Sequence, residues 1–161
     1  MSLTVATADE MHALGRRLAV WLRPGDLIIL SGELGSGKTQ LTQGIGQGLD
    51  VTGAIISPTF VLARLHRPRG AGPMLVHVDA YRLASPAEVD DLDLEAYMPD
   101  AVTVVEWGRG LADHLSGDRL DIEITRADDP GDDTRLVVVR AIGDRWRGFD
   151  QDTRGEGRWL N

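Results

Sequence analysis

Apolar positions along the chain change period repeatedly, and each change marks an element. Met11, Leu14, Leu18 and Trp21 recur at helical spacing. Thr7-Ala8-Asp9-Glu10 reads as a capping box that starts this helix, and Pro24-Gly25 ends it. A short strand over residues 3–6 precedes it. Residues 26–31 then form a nearly continuous apolar run, the pattern of a strand buried on both faces of a parallel sheet. A second helix is predicted from Lys38 to about Leu49, with Leu41, Ile45 and Leu49 on one face. Gly44, Gly46 and Gly48 weaken it by roughly 1 kcal/mol each relative to alanine, so it depends on packing.

Residues 50–58 read as a loop. Residues 60–66 and 74–79 read as strands joined by a Gly- and Pro-rich turn. Ser85-Pro86-Ala87-Glu88 is a second capping box, with proline at the first helical position, and a short acidic helical stretch over 89–97 follows. Residues 101–106 form another buried strand, and 120–126 with 135–141 form a hairpin. From Gly143 the chain is rich in Gly, Asp and Arg and is expected to be a mobile tail. Strands alternating with helices predict an α/β three-layer sandwich around a mixed, mainly parallel sheet: one domain over residues 1–142, with 143–161 as the tail.

Composition narrows the function. With 161 residues, 42% hydrophobic and 26% charged, the chain suits one globular domain. It has no cysteine, which removes disulfides, thiolate metal sites and thiol nucleophiles together. The first residues lack the pattern of a secretory signal, and no run approaches the roughly 20 apolar residues of a membrane span. A cytoplasmic protein with no membrane contact is expected. The net charge of −8, from 25 acids and 17 bases, argues against direct nucleic-acid binding, which usually needs a basic stripe.

The only lysine is Lys38. Arginine serves where any positive charge will do, but its planar head is too wide to reach between phosphates. Lys38 lies inside Gly32-Glu33-Leu34-Gly35-Ser36-Gly37-Lys38-Thr39, a match to G-x-x-x-x-G-K-[ST] between a buried strand and a helix. The glycines let backbone N–H groups turn inward as an anion nest at a helix N-terminus, Lys38 reaches the terminal phosphates, and the Thr39 hydroxyl is placed for Mg²⁺. The nucleotide is expected to contact Glu33, Leu34, Gly35, Ser36, Gly37, Lys38, Thr39 and Gln40.

Two apolar strands end in acids, Asp79 and Glu106. Each is either an ordinary strand-end acid or part of a Mg²⁺ and water site, and the carboxyl edge of an open α/β sheet favours the second. Thr59, after Ser57-Pro58, is either a turn residue or a switch threonine that folds over Mg²⁺ and the γ-phosphate. Trp107 is either core or the edge of the site. His66, His77 and His114 lack metal spacing and read as structural or solvated. An N-K-x-D guanine-reading loop cannot exist when the only lysine is Lys38, which favours ATP.

The phosphate loop, Ser57-Pro58-Thr59-Phe60, His77-Val78-Asp79-Ala80-Tyr81-Arg82-Leu83 and Val105-Glu106-Trp107 together resemble, in order and spacing, the bacterial TsaE (YjeE) family, over about residues 7–141. That resemblance implies a slow Mg²⁺-dependent ATPase that acts on TsaB and TsaD. Their complex makes threonylcarbamoyladenosine beside the anticodon of ANN-decoding tRNAs, so tRNA is reached only through the partners. It also implies that Thr39 and Glu106 hold Mg²⁺, that Asp79 orients the hydrolytic water, that Thr59 is the switch and that Trp107 flanks the nucleotide. Adenine is then expected near Thr7 to Met11, with Arg135 closing over it. A small-molecule kinase with Arg64, Arg67 and Arg69 as a phosphate-clamping lid is the alternative, and a nucleotide-gated adaptor is a third class.

Overall fold

The protein is described by a computed structural model over residues 1–127 and 131–149. In chain order the elements are β1 (Ser2–Val5), α1 (Ala8–Ala19), β2 (Leu27–Ser31), α2 (Lys38–Gly48), β3 (Ala63–His66) and β4 (Met74–Asp79). They are followed by α3 (Pro86–Asp90), β5 (Ala101–Glu106), β6 (Arg119–Arg126) and β7 (Arg135–Ile142). Among the described residues, seven strands form one sheet in the order β1-β7-β6-β2-β5-β4-β3. β2 lies at the centre and pairs parallel with both β5 and β6, and β4 pairs parallel with β5. The outer pairs β1–β7, β6–β7 and β3–β4 are antiparallel. The sheet is therefore the expected mixed one with a parallel centre.

Both faces are covered. On one, α1 and α2 pack over Ile28, Leu30, Leu75, Val102 and Val104. On the other, Val89 of α3 joins Leu94, Met98 and Ala112 over Ile29, Val76, Val78 and Val105. Leu27 to Leu30 are at most 1% exposed, as the run without alternation requires. Both capping boxes form. The Thr7 hydroxyl accepts from Glu10 N at 3.1 Å while Ala6 N donates to the Glu10 carboxylate at 2.7 Å. Ser85 and Glu88 do the same at the start of α3.

Three boundaries differ from the sequence pattern. β3 begins at Ala63 rather than residue 60 because a turn intervenes: Val61 N and Leu62 N both donate to Pro58 O, and Leu62 takes a positive φ of 65°. Phe60 is left outside and 84% exposed. The acidic helical stretch breaks after α3, since Asp93 adopts the left-handed conformation and two short 3₁₀ turns, Leu94–Ala96 and Met98–Asp100, continue the chain. The expected mobile tail is corrected for residues 143–149. Trp146 and Phe149 are 4% and 3% exposed and pack edge-to-face with each other, and Phe149 does the same with Trp21. Arg145 caps this corner by donating to both carboxylate oxygens of buried Asp26 at 3.0 and 2.9 Å, and to the Trp21 carbonyl. Residues 150–161 of that stretch lie outside the described residues. No helix among the described residues is long and apolar enough to cross a membrane.

α1 and α2 approach closely because they cross on glycines. A Cβ on Gly44 would overlap the His12 carbonyl, and one on Gly15 would overlap the Leu41 carbonyl. Gly44→Ala should therefore destabilise the protein by about 1–3 kcal/mol in urea unfolding, although alanine is the better helix former. Equal or higher stability would contradict this packing. Arg145→Ala, which leaves the buried Asp26 carboxylate with only the Arg23 amide, should cost roughly 2–3 kcal/mol in the same assay. A loss under 0.5 kcal/mol, the size of an ordinary surface change, would show that the corner does not depend on the pair.

Candidate nucleotide site

β2 delivers the chain to Gly32 at the carboxyl edge of the sheet, and α2 leaves from Lys38. Gly37 sits at the helix N-cap with a left-handed φ of 109°, which lets the chain turn sharply into the helix. The first amides of α2 then face the loop with the positive end of the helix behind them. Lys38 is only 4% exposed, and its ammonium donates to the carbonyls of Gly32 at 2.8 Å and Glu33 at 2.9 Å. It lies 4.0 Å from the centroid of the Trp107 ring. Burial pushes the Lys38 ammonium below its ordinary value, and the carboxylates of Glu106 and Asp79 only partly oppose the shift. A buried cation held by carbonyls and a ring face is under-compensated, and a phosphate anion would answer that charge.

The two strand-end acids are brought together by register. Asp79 of β4 stands opposite Glu106 of β5, and Glu106 stands opposite Leu30 of β2. Both acids are 3% exposed. The Thr39 hydroxyl donates to Glu106 Oε1 at 3.0 Å, and His77 Nε2 lies 2.8 Å from the same oxygen. Asp79 is held differently: Ser57 and Thr59 place their hydroxyls 2.9 and 2.8 Å from Oδ2, and Tyr81 N donates to Oδ1 at 2.9 Å. Among the described residues no cluster of three or more His, Asp or Glu could hold a metal ion by itself. A hydroxyl, a carboxylate and open space suit Mg²⁺, which keeps water and shares its shell with phosphate oxygens. The residues present fit that cation, and Thr39 and Glu106 are the pair that would hold it.

Trp107 follows Glu106 with a positive φ of 61°, a conformation uncommon for a bulky side chain. Its backbone N–H donates to Leu30 O at 2.8 Å, and its ring packs against Tyr81 at 5.1 Å between centroids. The indole is thereby turned out of the strand and over Lys38, at the edge of the site.

Two cavities flank the loop. The larger, about 440 Å³, is lined by Lys38, Thr39, Thr59, Asp79, Glu106 and Trp107, with Leu34, Ser57 and Tyr81. The smaller, about 130 Å³, is lined by Thr7, Ala8, Met11, Ser36, Asp133 and Arg135. Gly35, Gly37 and Gln40 line both, so the two adjoin across the loop. Of the residues expected to contact the nucleotide, Glu33 lines neither cavity, and its carbonyl accepts from Lys38 and from Ser36 N. Arg64, Arg67 and Arg69 also stand apart from both, and Arg69 pairs with Asp50 at 3.5 Å.

Ser57, Tyr81, Asp133 and His77 were not legible as site residues. Ser57 stands two residues before Thr59 in the same turn, which was a usable signal. His77 was readable only through strand alternation: it lies two residues before Asp79 and so shares its face of the sheet.

Against known proteins, residues 5–136 match the family model described as threonylcarbamoyl adenosine biosynthesis protein TsaE. Relatives carrying the name tRNA threonylcarbamoyladenosine biosynthesis protein TsaE include one from Streptomyces coelicolor, 56% identical over 142 residues, covering 87% of this chain and 96% of the relative. Another, from Bacillus subtilis, is 37% identical over 139 residues, covering 86% and 84%. Among solved structures, the fold is similar to the crystal structure of Bacillus subtilis YdiB, with a TM-score of 0.74 and 29% identity over 94% of this chain and 92% of that one. Family model, relatives and fold agree over most of the sequence, and the chain belongs to the TsaE family, that of threonylcarbamoyl adenosine biosynthesis.

Proposed function

We propose that the protein is a Mg²⁺-dependent ATPase of tRNA threonylcarbamoyladenosine formation that works on a TsaB–TsaD complex. The observation that carries this reading is the convergence of Lys38, Thr39, Thr59, Asp79 and Glu106 on one cavity at the phosphate loop. The β- and γ-phosphates would replace the carbonyls of Gly32 and Glu33 as partners of the Lys38 ammonium, beneath the amides that open α2. When bound between Thr39 and Glu106, Mg²⁺ supplies charge neutralisation on the transferring phosphoryl oxygens. Asp79 is the acid placed to orient the attacking water. Its Oδ2 accepts from both Ser57 and Thr59, so a movement of Thr59 toward the phosphates would relieve that oxygen of one of its two hydroxyl partners. The smaller cavity, between Met11 and Arg135, is the place for adenine.

The same geometry supports slow turnover alone and faster turnover with partners. Among the described residues no arginine lines the phosphate cavity, which suits a site where a partner supplies the finger to the leaving charge. Leu34, Phe60 and Tyr81 are 83%, 84% and 62% exposed, and Leu34 and Tyr81 stand at the cavity itself. Exposed apolar groups of this kind suit contact with another protein. A net charge of −8 fits a chain that reaches tRNA through such partners. The kinase alternative has no comparable support, because its three arginines line neither cavity.

Thermal unfolding with and without Mg-ATP tests the binding. Wild type should melt higher with nucleotide, and Lys38→Met should lose that rise while melting no lower than wild type when nucleotide-free. The sign follows from linkage. The folded chain holds the Lys38 proton less tightly than the unfolded one, so burying the charge costs stability that is recovered as pH rises through the folded-state value. Wild-type stability should gain a component as pH rises toward 10.5, and Lys38→Met should lack it. A Lys38→Met protein still stabilised by Mg-ATP would contradict the site.

Hydrolysis is read as ADP release in water without an acceptor. Asp79→Asn should slow it roughly 10²-fold while nucleotide affinity stays within a few-fold of wild type. Purified TsaB–TsaD should accelerate wild-type turnover, and equal rates with and without the complex would count against the partnership.

A further inference from the structure

We propose that His77 is a positioning residue for Mg²⁺: its imidazole fixes the Glu106 carboxylate from below so that one carboxylate oxygen stays turned toward the phosphate cavity. The inference rests on the ATPase reading above and assigns a task to a histidine that the motif pattern leaves as structural.

His77 is fully buried, and its Nε2 lies 2.8 Å from Glu106 Oε1. Register explains the meeting. His77 stands opposite Val104 on β5, two residues before Glu106, so the two side chains are diagonal neighbours on the face that α2 covers. The oxygens of Glu106 are used unequally. Oε1 receives both His77 at 2.8 Å and Thr39 at 3.0 Å, whereas the Thr39 hydroxyl is 3.4 Å from Oε2. Oε2 is therefore the oxygen left for a cation.

The tautomer follows from the surroundings. Nδ1 of His77 is buried with no hydrogen-bond partner. A proton on Nδ1 would leave a buried N–H orphaned and aim the Nε2 lone pair at a carboxylate. A proton on Nε2 gives a charge-assisted bond to Glu106 and leaves only an unused acceptor. Of the neighbours on this face Leu75 and Val104 are apolar and fully buried, while Arg64 of β3 stands opposite His77 without a hydrogen bond to its ring. An apolar residue at 77 would fill the space without an unpartnered ring nitrogen. What it would not do is hold Glu106. Carboxylates that bind metals are commonly held by such outer hydrogen bonds, and losing one typically weakens metal binding 10- to 100-fold.

The test measures ATP affinity calorimetrically in excess Mg²⁺ and again in EDTA, for wild type, His77→Leu and His77→Gln. The wild-type affinity gain from Mg²⁺ should fall about tenfold in His77→Leu, with affinity in EDTA unchanged. His77→Gln, whose amide N–H can reach the place of Nε2–H, should recover most of the gain. Should the Leu variant fail to fold, His77→Asn, with an amide too short to reach Glu106, takes its place and should show the same loss. An undiminished Mg²⁺ gain without the imidazole, or an equal loss of affinity in Mg²⁺ and in EDTA, would overturn the inference alone. A wild type with no Mg²⁺ gain at all would overturn the ATPase reading as well.

Discussion

The site depends on one constraint of the backbone: β2, β5 and β4 run parallel and end at the same level. Pairing Leu30 with Glu106 and Glu106 with Asp79 puts the loop after β2 beside two strand-end carboxylates. A slip of one residue in either pairing would turn an acid to the opposite face of the sheet. The register is held by side chains that are out of water on both faces, Leu27 to Leu30 on β2 and Val102, Val104 and Val105 on β5. The apolar core thus sets the distances on which the polar chemistry relies.

A cost accompanies that arrangement. Lys38, Asp79, Glu106 and His77 are all at most 4% exposed, and buried polar groups must find partners or lower their charge. Here they find one another or the backbone: the lysine holds carbonyls, one acid holds Thr39 and His77, and the other holds Ser57, Thr59 and an amide. Several of these bonds involve groups that a nucleotide would also engage. Ligand binding would exchange internal partners for phosphate oxygens, which links occupancy of the loop to the position of the Ser57–Thr59 turn.

What could be read from the sequence was local or motif-bound. The capping boxes at Thr7 and Ser85, the strand over Met74–Asp79 and the loop around Lys38 each involve residues a few positions apart, and all form as expected. Features set by distant pairs could not be read. The Arg145–Asp26 pair spans 119 positions, so nothing near Trp146 indicated that this stretch would return to Trp21. Phe60 continues an apolar strand pattern, but Pro58 captures the next amides in a turn and leaves the ring in solvent. His77 lacks metal spacing in sequence, and its contact with Glu106 exists only because two strands pair in one register.

On the proposed reading a nucleoside triphosphate occupies the loop with its phosphates on Lys38 and its base between Met11 and Arg135. A crystal structure with Mg²⁺ and a non-hydrolysable ATP analogue tests this most directly. Lys38 Nζ should then be withdrawn from the Gly32 and Glu33 carbonyls and bonded to phosphate oxygens, with adenine in the smaller cavity. A nucleotide seated elsewhere, with Lys38 still on those carbonyls, would contradict it.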